Sequence, residues 1–305
     1  MKKVLVFDGI SQKAIDYLEK NHFEVVTNKQ STVQDLTENT DIEAMILMMY
    51  PIDNHVFSRL PQLKIIARYG VGYDNVNLAD ASAHHVIVTN APGANATAVA
   101  ETAIMHMLMA GRYFYQQNQS INDNAMTIPM GQEVSHKTVG IIGFGAIGQR
   151  VDALLTGFDV DVLAYARHEK EVKNGRMATL DEIYEQSDFI VLALPATPET
   201  MNLIDAKIFD KMKDSAVLVN IARGAVVDEQ ALISALKSGK IAGAGLDVVT
   251  NEPVTPDNEL LSLPNVFVTP HVAASSREAF DSVGLVTAQE VVRVLNGQEA
   301  KFQVN

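Results

Sequence analysis

Residues 139–142 form an apolar run, after which the chain reads Gly143-Phe144-Gly145-Ala146-Ile147-Gly148. A strand that ends in this spacing of glycines has few folds open to it. The first glycine permits a tight turn, the second lets the main chain approach a ligand, and the third lets the next helix lie close on the strand. The helix N-terminus then offers unpaired N–H groups to an anion, and a dinucleotide pyrophosphate suits the spacing. Three such glycines alone mark only a common turn. The apolar strand before them and the helical pattern after them supply the context.

Alternation of strand and helix runs the length of the chain. Short β-branched runs predict strands at residues 4–7, 23–26, 44–48, 63–67 and 86–89, with helical segments between, such as 11–21 with Ser11 as N-cap. A helix is expected over 97–112, then a polar, irregular excursion over 113–136. A second series follows, with strands at 139–142, 160–165, 189–194, 216–220, 242–247 and 266–269, and a last helix at 277–295 that stops at Gly297. Two β-α-β series predict an α/β protein with two doubly wound parallel sheets. That suits 305 residues, which are too many for one core.

Charge and composition exclude several classes. A formal net charge of −13 argues against a nucleic-acid surface, though local donors can still bind a small anion. The absence of cysteine removes disulfides, thiolate catalysis and the usual structural zinc sites, and no metal is expected. Asp8 interrupts the N-terminal apolar run before a signal-peptide core forms, and no apolar stretch reaches the roughly 18–20 residues of a membrane helix. A cytoplasmic enzyme with no membrane or nucleic-acid partner is expected.

The second strand of the glycine-turn unit ends at Tyr165-Ala166-Arg167-His168. An NAD-selective site carries Asp or Glu there to bind the ribose hydroxyls. Ala166 removes the carboxylate that would repel a 2′-phosphate, and Arg167, with His168 and Lys170 behind it, brings a cation that could pair with one. NADP is the expected preference, with NAD still open.

Other predicted strands end in chemically capable residues: Arg223, Asp247 leading to Glu252, and His271. The carboxyl ends of strands line the ligand crevice of an open α/β sheet, so these residues can converge. Singly, each has an ordinary reading: a surface charge, a turn cap, a satisfied structural histidine. Together they match what reduction of a 2-oxo acid needs. Arg clamps the carboxylate and polarises the ketone, His delivers the proton, and Glu holds His as imidazolium.

Over essentially its whole length the chain resembles the D-isomer-specific 2-hydroxyacid dehydrogenase family. The matching segments are Arg68-Tyr-Gly70-Val71-Gly72-Tyr-Asp74-Asn75, Asn90-Ala-Pro-Gly93 with Ala98-Val-Ala-Glu101, the glycine turn, Leu194-Pro195 with Thr200, LVNIARGAVVDEQAL, AGAGLDV, NEP and TPH. The resemblance implies a glyoxylate- or hydroxypyruvate-reductase-like enzyme that takes a small 2-oxo acid to the D-2-hydroxy acid and back. It implies Arg223 as substrate clamp, His271 as general acid/base, Glu252 as its carboxylate partner, and the amides of Val71 and Gly72 as receivers of the substrate carboxylate. Cofactor contacts are implied for Gly143, Gly145, Ala146, Ile147, Gly148, Arg167, His168, Pro195, Thr200, Ile221, Ala222, Arg223, Asp247, His271 and Ala273. The implied architecture is a flavodoxin-like substrate domain over 1–97 and 282–305 and a Rossmann dinucleotide-binding domain over 98–281, with the active site in the cleft. A homodimer is also implied, with residues 113–136 as a candidate arm.

Departures from the family's subtypes narrow the chemistry. Formate-type members carry Gln where Glu252 stands, and phosphite-type members carry Lys at Val71. The lactate-type Tyr-Ser-Pro signature is missing around 90–101. Phosphoglycerate-type members hold phosphate with several arginines. Arg68 matches one, Met49 takes the place of another, and no regulatory tail follows Asn305, yet this alternative stays open. Met48, Met49 and Tyr50 are candidates for lining the pocket, although methionines in a strand usually belong to the core. A rival from another class is a non-enzymatic, NAD(P)(H)-sensing binding protein of the same fold.

Overall fold

A computed structural model describes residues 1–122 and 129–305. The chain divides into two compact units, Met1–Asn95 with Ser275–Asn305, and Ala96–Ala274.

The first unit holds strands β1 (Lys3–Phe7), β2 (Glu24–Asn28), β3 (Ile42–Leu47), β4 (Ile65–Arg68) and β5 (Ile87–Thr89), in the order β2-β1-β3-β4-β5, all parallel. This is the flavodoxin-like doubly wound order. The strands read as continuous apolar runs because both faces of the sheet are covered. Val4, Val6, Ala44, Ile46, Ile65 and Ala67 enter one core, and Leu5, Met45, Leu47 and Ile66 enter the other. The helix Arg277–Leu295 closes the first core with Val283, Ala288 and Val291.

The last residues cover the β5 edge. Thr89 and Gln303 form an antiparallel bridge, and the Val304 N–H donates to the Val88 carbonyl at 2.9 Å. Glu290, buried in the last helix, holds this tail through the N–H groups of Lys301 and Phe302, at 2.8 and 3.0 Å.

The second unit holds β6 (Thr138–Ile142), β7 (Asp161–Tyr165), β8 (Gly175–Met177), β9 (Phe189–Leu192), β10 (Val217–Asn220), β11 (Gly243–Leu246) and β12 (Val266–Val268). Their order is β12-β11-β10-β9-β6-β7-β8, again parallel throughout. The chain steps outward from β6 through β8, then crosses back to lay β9–β12 on the other side. The switch point falls between β6 and β9, where sheets of this kind bind ligands at their carboxyl ends. Val139, Ile141, Phe189, Val191, Val217 and Val219 face one core, and Ile142, Ile190, Leu192 and Leu218 the other. On the first of these faces the helix Ala96–Gly111 packs against the helix Ala146–Leu155 and against β10 and β11.

Several expectations change. Ser11 precedes the helix Gln12–Lys20 without capping it; its hydroxyl donates instead to Asp281 Oδ1 at 2.6 Å. Part of the expected irregular excursion is a helix, Phe114–Asn122, whose Gln- and Asn-rich sequence hides any apolar period. Residues 123–128 of that segment lie outside the described residues. β3 stops at Leu47, so Met48 and Met49 leave the core and are 39% and 62% exposed. The expected 189–194 strand ends at Leu192, and the short edge strand β8 carries no apolar run that could have announced it. Among the described residues no helix is long and apolar enough to cross a membrane.

Candidate active site

β6 runs directly into Gly143, whose φ of +99° strains any residue with a side chain and whose Cβ would collide with the Ala193 carbonyl. At Gly148 a Cβ would collide with the Gly143 carbonyl and stand 3.2 Å from Ile141 Cγ2, so its absence lets the helix lie on the strand. Gly145 differs, since nothing stands within 4 Å of where its side chain would be. It is the N-cap of Ala146–Leu155, a helix with neither a side-chain cap nor an acidic residue in its first turn. Three other helices of the unit are capped by Thr179, Asp205 and Asp228. Uncapped N–H groups beside open space fit a dinucleotide pyrophosphate.

The N–H groups of Gly143 and Phe144 both donate to the Tyr165 carbonyl, at 3.0 and 3.1 Å. This fastens the end of β7 to the glycine turn, and Arg167 and His168 follow there, exposed. A cavity of about 550 Å³ adjoins this strand end, lined by Tyr165, Ala166, Leu180, Tyr184 and Leu203 among others. Beyond β9, the Thr200 hydroxyl donates to the Pro195 carbonyl and accepts from the Thr197 N–H, both at 2.7 Å, which closes that loop on itself.

β10 ends at Asn220, which is buried and holds the following turn from beneath. Its Oδ1 accepts from the Ala222 N–H at 3.0 Å and its Nδ2 donates to the Arg223 carbonyl at 2.9 Å. Ile221 and Ala222 are buried in that turn, and Arg223 emerges from it half-buried, with Nη1 donating to the Ala222 carbonyl at 2.7 Å.

His271 has φ +54°, a backbone region that costs energy for a residue with a side chain. Its N–H donates to the carbonyls of Asp247 and Thr269, at 2.8 and 3.0 Å, which hold it there. Its Nδ1 lies 2.6 Å from Glu252 Oε2, while Glu252 Oε1 accepts from the Val249 N–H at 3.3 Å. A carboxylate only accepts, so Nδ1 carries a proton and Nε2 is left to exchange one. The two side chains are 42% and 33% exposed, enough to meet a ligand. Glu229 fastens the Glu252 loop by accepting from the Thr250 N–H at 2.8 Å.

Asp247, expected at the cofactor, uses both carboxylate oxygens to build the His271 loop. Oδ1 accepts from Thr269 Oγ1 at 2.6 Å and the Val272 N–H at 2.9 Å, and Oδ2 from the Ala273 N–H at 2.9 Å. Asn220 and Thr269 carry no local signature of their supporting roles, although they lie inside the motifs LVNIARGAVVDEQAL and TPH. His106, which bonds Thr269, leaves one trace in the sequence: a histidine within the Ala- and Met-rich run of residues 103–110.

In the first unit, Arg68 at the end of β4 donates from Nε to Asn75 Oδ1 at 3.2 Å, and its Nη2 lies 3.5 Å from Met49 Sδ. Asn75 Nδ2 donates to the Tyr50 carbonyl at 2.9 Å, and Asn90 Nδ2 to the Val71 carbonyl at 2.7 Å. The loop is thus held through the Asn75 side chain and the Val71 carbonyl. Among the described residues no acceptor bonds the N–H of Val71 or Gly72. These residues belong to the first unit, and Arg223, Glu252 and His271 to the second.

A parallel sheet with this switch point and glycine turn fits a dinucleotide-binding domain, with a histidine paired to a carboxylate in the loops beyond its strand ends. Residues 104–273 match the profile of the D-isomer specific 2-hydroxyacid dehydrogenase NAD binding domain. The chain is 40% identical over 311 residues to D-3-phosphoglycerate dehydrogenase of Archaeoglobus fulgidus, covering 99% of this chain but 59% of that one, less than two thirds of its length. It is 35% identical over 320 residues to glyoxylate reductase of Pyrococcus furiosus, covering 99% of this chain and 95% of that one. The solved NADPH-dependent glyoxylate/hydroxypyruvate reductase of Sinorhizobium meliloti, in complex with NADP and malonate, matches with a TM-score of 0.86 at 30% identity, over 99% of this chain and 96% of that one. The chain belongs to the D-isomer-specific 2-hydroxyacid dehydrogenase family.

Proposed function

We propose that the protein reduces a small 2-oxo acid, glyoxylate or hydroxypyruvate, to the corresponding 2-hydroxy acid, with NADPH preferred over NADH. The observation that carries this reading is the 2.6 Å contact of Glu252 with His271, in a chain similar along its length to glyoxylate reductases. The glycine turn with Ala146 and Ile147 holds the pyrophosphate, Arg167 and His168 meet the 2′-phosphate, and Pro195, Thr200, Ile221, Ala222, Asp247 and Ala273 border the rest of the dinucleotide. When bound, the nicotinamide supplies the hydride.

Arg223 pairs with the substrate carboxylate and draws electron density from the ketone, while the amides of Val71 and Gly72 receive the carboxylate. As the ketone oxygen gains negative charge, His271 delivers a proton to it from Nε2. Glu252 keeps Nδ1–H in place throughout, so the ring leaves the step neutral and in one tautomer. In the reverse direction the neutral ring takes the hydroxyl proton.

A second reading, a phosphoglycerate dehydrogenase-like activity, is favoured by the identity to the Archaeoglobus enzyme. Against it, the side chain beside Arg68 is Met49, where a phosphate calls for a further cation. The protein acts as a homodimer through its second unit, where Met105, Leu108, Phe114 and Tyr115 leave apolar surface exposed on the helices Ala96–Gly111 and Phe114–Asn122. It works in the cytoplasm, on the NADPH pool there.

The test is loss of NADPH absorbance with glyoxylate, hydroxypyruvate, phenylpyruvate and 3-phosphohydroxypyruvate, repeated with NADH. Fastest turnover is expected with NADPH and one of the first two acids. Tight dinucleotide binding without turnover on any acid would overturn the reading in favour of a sensor.

A further inference from the structure

His106 is fully buried in the helix Ala96–Gly111 and takes no part in the proton transfer described above. Its Nε2 lies 3.0 Å from Thr269 Oγ1, and that hydroxyl donates to Asp247 Oδ1 at 2.6 Å. Because the carboxylate can only accept, the Thr269 proton points at Asp247 and the Thr269 oxygen takes a proton from Nε2–H. The ring is therefore the Nε2–H tautomer, and among the described residues its bare Nδ1 has no hydrogen-bond partner.

The surroundings are shaped to admit this imidazole. Gly245 of β11 supplies the room, since a Cβ there would stand 2.7 Å from that of His106. Phe267 of β12 packs beside the ring, with centroids 5.3 Å apart. One helical turn earlier, Thr102 Oγ1 donates to the Ala273 carbonyl at 3.2 Å. The same helix thus grips both ends of segment 269–273, and between those ends His271 sits at φ +54° with its N–H on the Asp247 carbonyl.

We propose that His106 is a positioning residue for the proton transfer, holding the His271 loop in place through Thr269 and Asp247. The inference rests on His271 being the acid. In a chain of the form N–H···O–H···O⁻ each bond polarises the next, so the three groups stiffen together. Without Nε2–H the Thr269 hydroxyl loses the donor that fixes its rotor, and Asp247 loses its alignment on the loop. Displacing a reacting group by about 1 Å can cost on the order of a hundredfold in rate, so partial relaxation is enough to be read.

The experiment compares His106→Leu, His106→Gln, Thr269→Val and the His106→Leu/Thr269→Val pair in the full chain, by single-turnover reduction of glyoxylate and by NADPH titration. His106→Leu should slow reduction about tenfold with NADPH affinity retained. His106→Gln, whose amide can still donate to Thr269, should recover most of the rate. Thr269→Val alone should slow the step comparably, and adding His106→Leu to it should cost nothing more, because both changes cut one chain. A wild-type rate in His106→Leu, a Gln variant as slow as Leu, or losses that multiply in the pair would each overturn the proposal. His271→Asn, measured alongside, separates the two claims. Intact reduction there removes the acid and with it the role of His106, whereas lost reduction there with an unaffected His106→Leu removes only the latter.

Discussion

Glu252 offers one carboxylate oxygen to Nδ1 of His271 at 2.6 Å and the other to the N–H of Val249 at 3.3 Å, so a single anion aligns the imidazole and the loop that follows β11. In Glu252→Gln one of the two positions faces an N–H donor with another donor. A charge-assisted hydrogen bond is worth about 1.5–3 kcal/mol, so kcat/KM for reduction should fall by roughly one to two decades. NADPH affinity should stay near that of the wild type, since the glycine turn is untouched. Steady-state kinetics and a binding titration check both halves, and an unchanged kcat/KM would break the proposed partnership.

Gly143 and Gly145 stand two residues apart and should respond to alanine in opposite ways. Gly143→Ala forces a side chain into a left-handed backbone region and against the Ala193 carbonyl, so the melting temperature should drop sharply. Gly145→Ala has ordinary backbone angles and open space, so the fold should persist. Its new methyl group would stand where the pyrophosphate approaches, weakening dinucleotide binding by roughly tenfold, or about 1.4 kcal/mol. Calorimetry and titration of both variants separate a glycine needed by the chain from one needed by the ligand.

Burial pushes His106 down from 6.5 to about 4, against an opposing pull from the Asp247 charge. The unfolded chain takes up this proton at the higher value and the folded chain only at the lower one. Acid therefore favours unfolding between these limits, by about 2 kcal/mol at pH 5 and about 3 kcal/mol once pH falls below 4. His106→Gln has no proton to gain. Urea midpoints measured at pH 7 and pH 5 should fall further for the wild type than for this variant, and parallel losses would refute the assignment.

Ala166 and Arg167 follow the strand end that is bonded to the glycine turn, so their character should decide between cofactors. The double variant Ala166→Asp, Arg167→Ala should lose roughly one to two decades in kcat/KM with NADPH, the worth of a charge-assisted contact to phosphate. Its efficiency with NADH should hold or rise. Equal efficiency of the wild type with both cofactors would sink the assignment.

The inner strands of both sheets were legible because each lies between two cores and so is apolar at consecutive positions, as in 4–7 and 139–142. β8 was not, since an edge strand reading Gly-Arg-Met has one neighbour and little to bury. Glu252 and His271 could be named from the chemistry their residue types allow. The groups that aim them could not, because Asp247, Thr269 and His106 meet only through tertiary packing. Even the Gly245 of AGAGLDV reads locally as a flexible strand residue, whereas its reason is a ring belonging to a helix more than a hundred residues earlier.

The antiparallel tail beside β5 has a consequence for how the protein keeps to itself. The five-stranded sheet is open, ending at β2 and β5, and an uncovered outermost strand exposes a row of amide donors and acceptors that any extended peptide can template upon. Gln303 and Val304 occupy that row, clamped by Glu290 through the backbone of Lys301 and Phe302. Glu290→Ala should leave the sheet intact but let the tail lift, and the exposed edge would then recruit other molecules, with turbidity growing on warming well before the core melts.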